Sequence, residues 1–180
     1  MANILRADAQ TNRDRILAVA RTALAAEAGA SVNSITKAAG VGAGTFYRHF
    51  PTREALVFEV YKQQIETLVT LGPALITELR PVEALRAWCL QVSEFARVKH
   101  SLGEALGGLA GQDFSSAHQP MLDTLRLLIN AGKQTGELNA SAEPEDIFVL
   151  LTCIWRLRTN DADQARSQRL LELVIRGLEV

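Results

Sequence analysis

Apolar residues recur three and four positions apart in every long stretch of this chain, and no convincing run alternates apolar with polar. The first pattern lines one face of a helix, the second one face of a strand. The chain therefore reads as all-α, with about nine helices. Proline, glycine and capping residues set the limits. Thr11, with Asp14 three residues on, makes a capping-box start for a first helix with Ile16, Ala20, Ala23 and Leu24 inward and a stop at Gly29. Ser31 caps a short second helix, which Gly40 breaks, and a third runs over 43–50 up to Pro51. Thr52 caps a fourth, with Leu56, Val60, Ile65 and Leu68 inward, closed by Gly72 and Pro73 at a length of roughly 28 Å. Pro81 opens the fifth, a weak sixth covers 102–110, and the seventh starts near Pro120 and ends at Gly132 and Gly136. Pro144 opens the eighth, and the ninth spans 163–178.

With 48% hydrophobic and 22% charged residues, the composition is that of an ordinary globular protein. No apolar run approaches the roughly 18–20 residues that span a bilayer. Residues 1–11 lack an apolar signal core, so neither a membrane nor export is expected. Two cysteines, Cys89 and Cys153, make no disulfide framework, and the expected compartment is a reducing cytoplasm. His49, His100 and His118 stand at no metal-ligand spacing to either cysteine. No GxSxG or phosphate-loop pattern occurs. The run Gly103-Glu104-Ala105-Leu106-Gly107-Gly108 follows no strand, as a dinucleotide site requires. No metal, cofactor or catalytic residue is expected, and an enzyme using an apolar cavity is the remote alternative.

The net charge of −1 hides an asymmetry. Through Arg53 there are seven basic and three acidic residues, a net of +4, against twelve and seventeen in the rest, a net of −5. A basic head on an acidic body fits a nucleic-acid contact confined to one end, with chance surface charge as the plain alternative. Within that head, residues 31–50 read SVNSITKAAGVGAGTFYRHF. Two short helices flank a tight turn, Ala39-Gly40-Val41-Gly42. Gly40 can take the left-handed backbone that ends a helix, Val41 is an apolar plug, and the small Ala38 and Ala39 let the helices approach. This is a helix-turn-helix, whose second helix can lie in a major groove.

Several segments carry a wider resemblance: Arg15-Ile16-Leu17, then Ala38-Ala39-Gly40-Val41-Gly42, Gly44-Thr45-Phe46-Tyr47-Arg48-His49-Phe50, and Arg53-Glu54-Ala55-Leu56. In order and spacing they resemble the signature of the TetR (tetracycline-repressor-like) regulators over about 50 residues. Thr36 and Arg53 depart mildly, standing where that family usually has a small apolar residue and a lysine.

At the start of the second short helix, Gly42 and Ala43 offer free backbone N–H groups to a phosphate, and Gly44 permits close approach to a DNA backbone. Phe46 and Phe50, four apart, face inward. Tyr47 and His49 reach phosphates, as the resemblance implies, and Arg48 a guanine edge or a phosphate. Ser31, Lys37 and Arg53 are further phosphate candidates, while Asn33, Ala43, Thr45 and Arg48 are the side chains able to read bases. The plainer alternatives are a packed Tyr47, a solvated His49 and a bare surface charge at Arg48.

The resemblance further implies a head at 1–52 and a sensing and dimerisation domain at 53–180. Its last two helices would pair with their twins through Ile147, Leu150, Leu151 and Ile154 and through Leu171, Val174 and Leu178. The alternative is that these faces are all internal core. Ala131-Gly132-Lys133-Gln134-Thr135-Gly136-Glu137-Leu138 resembles a turn of an actinobacterial sensor-domain subtype. A ligand cavity would be lined by Trp88, Cys89, Val92, Phe95, Phe114, Met121, Leu125, Ile129 and Trp155, unless these too are simply core. Residues 101–120, with Gly103, Gly107, Gly108 and Gly111, suggest a gate or else an ordinary loop. The expected protein is a homodimeric repressor of a palindromic DNA operator, released by a small-molecule effector. An activator, or a regulator without a ligand, is the alternative.

Overall fold

The computed structural model describes residues 2–27, 29–101, 118–155 and 161–180. Among them lie eight helices: α1 Ala2–Ala26, α2 Val32–Ala39, α3 Ala43–His49, α4 Arg53–Glu78, α5 Pro81–Ser101, α6 His118–Thr135, α7 Pro144–Trp155 and α8 Asp161–Leu178. The described residues hold no β-strand, only one isolated antiparallel bridge from Leu138 to Glu179. The helix expected at 102–110 lies outside the described residues, as does most of the expected gate.

The described residues divide into two units, one up to Gln63 together with Ser101, the other residues 64–100, 118–155 and 161–180. In the first, α1 contributes a buried stripe of Ile16, Leu17, Ala20 and Leu24, the spacing that turns one helical face inward. Ile35 and Ala39 of α2, Phe46 of α3, and Leu56, Val57 and Val60 of α4 complete the core. The expected start at Thr11 is corrected, for α1 begins at Ala2. Ala7, Ala9 and Gln10 are strong helix formers, so the helix runs through the capping signal. Asp14 instead accepts a hydrogen bond from Gln10 Nε2, one turn back, at 2.8 Å.

In the second unit, α5 buries Leu85, Trp88, Cys89 and Val92, and α6 buries Met121, Leu122, Leu125, Leu128 and Ile129. Burial pushes the Cys89 thiol up to about 12, so it is no nucleophile at neutral pH. α4 does not close at Gly72 and Pro73 as expected. It continues to Glu78, about 39 Å in all. Gly72 is buried in a helix crossing, where a Cβ would come within 2.3 Å of Thr124 Cγ2. Its missing side chain serves contact with a neighbouring helix, which can outweigh the weak helix propensity of glycine.

Gly132 is corrected in the same sense. It lies inside α6, where a Cβ would come within 2.4 Å of Leu138 Cδ1. The terminator is Gly136, in the left-handed region at φ 74°. The chain then folds back, with the N–H groups of Glu137 and Leu138 both donating to the Gly132 carbonyl (3.0 and 3.1 Å). The Glu137 carboxylate accepts the Val82 N–H at the start of α5, at 3.4 Å. Asn139 N–H donates to the Leu178 carbonyl at 2.8 Å, and Arg86 of α5 pairs with both Glu172 and Glu179. One short turn thus ties the end of α6 to the start of α5 and the end of α8.

Candidate nucleic-acid interface

The interface is built from α2, the turn after it and α3. Ser31 is the N-cap of α2, with extended backbone, and its Oγ accepts the Ser34 N–H at 3.1 Å. Ile35, Thr36 and Ala39 turn inward, leaving Asn33, Ser34, Lys37 and Ala38 exposed. Of the two alanines expected to let the helices approach, only Ala39 faces inward. Thr36 satisfies its buried hydroxyl by donating to the Asn33 carbonyl at 3.1 Å. Gly40 is left-handed at φ 64°; its N–H donates to the Lys37 carbonyl at 3.2 Å, and Val41 N–H to that of Thr36 at 3.0 Å. Such a backbone favours glycine, which is why the chain turns here.

Gly42 is the N-cap of α3, its carbonyl accepting the N–H groups of Thr45 and Phe46 at 3.0 and 3.1 Å. Phe46 is fully buried, and Phe50 sits behind it with ring centroids 5.8 Å apart. Burying those two rings turns Gly42, Ala43, Gly44, Tyr47 and Arg48 to the exposed side, with Thr45 and His49 half-buried. Tyr47 is 52% exposed, and its ring meets Phe46 edge-on at 5.2 Å. A Cβ at Gly42 or Gly44 would meet nothing within 4 Å, so the space in front of both is open. Arg48 lies along its own helix, Nε donating to the Gly44 carbonyl at 3.2 Å.

The mount is held from beneath. The Arg13 guanidinium of α1 sits 4.8 Å over the Phe50 ring and pairs with Glu59 of α4 at 2.6 Å. Arg53 Nε donates to the Ala30 carbonyl at 3.1 Å, so this side chain helps close the loop before α2. The remaining DNA-contact candidates, Ser31, Asn33, Lys37, Gly42, Ala43, Gly44, Thr45, Tyr47, Arg48 and His49, all fall on α2, α3 or their caps.

The residues expected around a ligand gather in the second unit. Trp88, Cys89, Val92, Met121, Leu125 and Ile129 are buried and Phe95 is half-buried. Phe114 lies outside the described residues, and of Trp155 only the backbone is described. The residues expected at a dimer contact divide. Ile147, Leu151, Ile154 and Leu171 are buried within the chain, Val174 and Leu178 are half-buried, and Leu150 is 52% exposed. Sequence reasoning passed over Val149 and Leu173, which are exposed at 61% and 66%. A signal existed in α7, whose run Ile147-Phe148-Val149-Leu150-Leu151 is apolar on every side, as in helices covered on every side. No cluster of three or more metal-ligating side chains occurs among the described residues.

Two family profiles match the chain. "Bacterial regulatory proteins, tetR family" covers residues 16–60, and "Transcriptional regulator SbtR-like, C-terminal domain" covers residues 80–180. A TetR transcriptional regulator from Streptomyces coelicolor is similar in structure, at TM-score 0.81 and 36% identity, over 93% of this chain and 98% of that one. A TetR regulatory protein from Mycobacterium vanbaalenii aligns at TM-score 0.76 and 34% identity, over 98% and 99% of the two chains. An HTH-type transcriptional regulator of Staphylococcus aureus (strain bovine RF122 / ET3-1) is 38% identical over 68 residues, 37% of this chain and 37% of that relative's length.

Proposed function

Since this chain belongs to the TetR family of bacterial transcriptional regulators, we propose that it is a homodimeric, cytoplasmic repressor that grips a palindromic operator through two copies of α3 and lets go when a small-molecule effector occupies the helical body. The observation that carries the DNA reading is the two-sidedness of α3. Phe46 is sealed in the core, while Gly42, Ala43, Gly44, Tyr47 and Arg48 all face out. Seven basic residues against three acidic ones through Arg53 supply the charge that a phosphate backbone attracts.

In the proposed complex, the Tyr47 hydroxyl, Ser31 and Lys37 meet phosphates and set register. Arg48 leaves the Gly44 carbonyl to reach a base edge or a phosphate. Two recognition helices about one DNA turn apart would read the two halves of a palindrome. Gel-shift titration on the DNA upstream of the chain's own gene tests this. Arg48→Ala is expected to weaken binding about tenfold, or ~1.4 kcal/mol, and a variant that binds like wild type would remove Arg48 from the interface.

For the dimer, the exposed Val149 and Leu150 of α7 and Leu173 of α8 are the faces we assign to the partner. Clusters of large apolar side chains left in water mark association sites. The expected sedimentation result is about twice the chain mass for wild type and a monomer for Leu150→Asp with Leu173→Asp. A double variant that stays dimeric would place the interface elsewhere. For release, an effector must bind one of two dimer conformations better than the other. A coupling of about 1–3 kcal/mol then weakens DNA binding roughly 5- to 150-fold.

A further inference from the structure

Between Glu27 and Glu54 the chain carries no acidic residue, and α2 and α3 lie wholly within that stretch. On the outward side of α3, three consecutive exposed residues stand apart from the rest. Gly42, Ala43 and Gly44 hold between them a single side-chain carbon, the Ala43 methyl. A Cβ at either glycine would meet nothing within 4 Å, so the ground on both sides of that methyl is open. Burying Phe46 and Phe50 leaves Ala43 and Tyr47, one turn apart, exposed together. The polar side chains of the helix are placed differently. Arg48 lies back along α3 with its Nε donating to the Gly44 carbonyl at 3.2 Å, and Thr45 is half-buried.

We infer that Ala43 is a specificity-determining residue, and that it reads the C5-methyl group of a thymine in each half of the operator. The inference rests on the DNA-binding reading above and deepens it by naming the base chemistry that the first turn of α3 selects. A recognition helix in a major groove brings its first residues to the base edges. A methyl group there can neither donate nor accept a hydrogen bond. Along that groove the four bases present donors, acceptors and a single methyl group, that of thymine. Opposite guanine or adenine, the Ala43 methyl would cover a polar edge atom and cut it off from water without replacing the lost hydrogen bond, which is costly. Opposite thymine, two methyl groups shield one another from water, which is favourable. With glycine on both sides, no adjoining side chain holds the Ala43 methyl off the bases.

The test uses the full chain and a duplex selected by the wild-type protein from a randomised pool. Selection is expected to fix a thymine in each half-site. Deoxyuridine keeps the hydrogen-bonding groups of thymine and lacks only the C5-methyl. Placed at the fixed thymine, it is expected to weaken wild-type binding about fourfold per half-site, the worth of one buried methyl-sized group. Placed at a thymine that selection leaves variable, it is expected to change nothing. Ala43→Gly is expected to bind the thymine and uracil duplexes within about twofold of each other, because the base methyl has lost its partner. That ratio cancels any general loss of stability or affinity, and a purely structural alanine would leave it as in wild type. If Ala43→Gly does not fold, the wild-type comparison of thymine with uracil carries the test. A selected duplex without a fixed thymine would overturn the inference. So would a wild-type protein indifferent to uracil at every fixed thymine, or a folded Ala43→Gly protein that discriminates as wild type does. A wild-type protein that selects no duplex would instead bring down the DNA-binding reading, and the methyl contact with it.

Discussion

Phe46→Ala is expected to destabilise the chain by about 3–5 kcal/mol, the usual cost of emptying a large buried aromatic site, and to abolish the gel shift at concentrations where wild type binds fully. The ring is wholly buried, touches Phe50 and Tyr47, and sits in the middle of a helix only seven residues long. A helix so short has little stability of its own and persists through the packing of its inward face. Without the ring, nothing turns Tyr47 and Arg48 outward together. Urea unfolding followed by circular dichroism checks the first half of the expectation. A midpoint close to wild type, or a variant that still shifts DNA, would mean that α3 is not held by this core.

Gly44→Ala is expected to move stability and function in opposite directions. Gly44 has no positive φ, and a Cβ there would meet nothing within 4 Å, so no feature of the free chain calls for glycine. Alanine in a helix is favoured by up to about 1 kcal/mol, which raises Tm by roughly 2–4 °C in a chain of this size. In the proposed complex the added methyl holds the helix off the DNA. Lengthening two hydrogen bonds there costs about 2 kcal/mol, or ~30-fold in Kd. Thermal melts and gel shifts on one preparation read both signs. Unchanged affinity in the stabilised variant would show that DNA does not approach Gly44.

The head was the legible part of this chain because its signals are local. Ser31, Gly40 and the spacing of Phe46 to Phe50 each act within one turn of where they stand, and each does in the structure what its chemistry implies. The two glycines misread as helix ends share one cause, a side chain beyond their own helical turn. Gly72 and Gly132 look like terminators but are buried where Thr124 and Leu138 leave no room for a side chain. Arg53 also donates its Nε to a carbonyl 23 residues earlier, a tie that its place in the sequence does not announce. Thr11 fails differently. Its capping signal is real, but the helix formers before it carry α1 back to Ala2. On α7 and α8, helical periodicity marks Ile147, Leu151, Ile154 and Leu171 as facing inward, but it cannot say whether inward means this chain or a second copy.

Because the Trp88 indole is sealed from water and bonded to a main-chain oxygen of α4, the protein carries a built-in optical reporter, one of its two tryptophans. Emission from a dry, hydrogen-bonded indole shifts in colour when its partner moves or water enters. A library of candidate effectors could therefore be screened by the protein's own ultraviolet fluorescence, without labels and before any target gene is known.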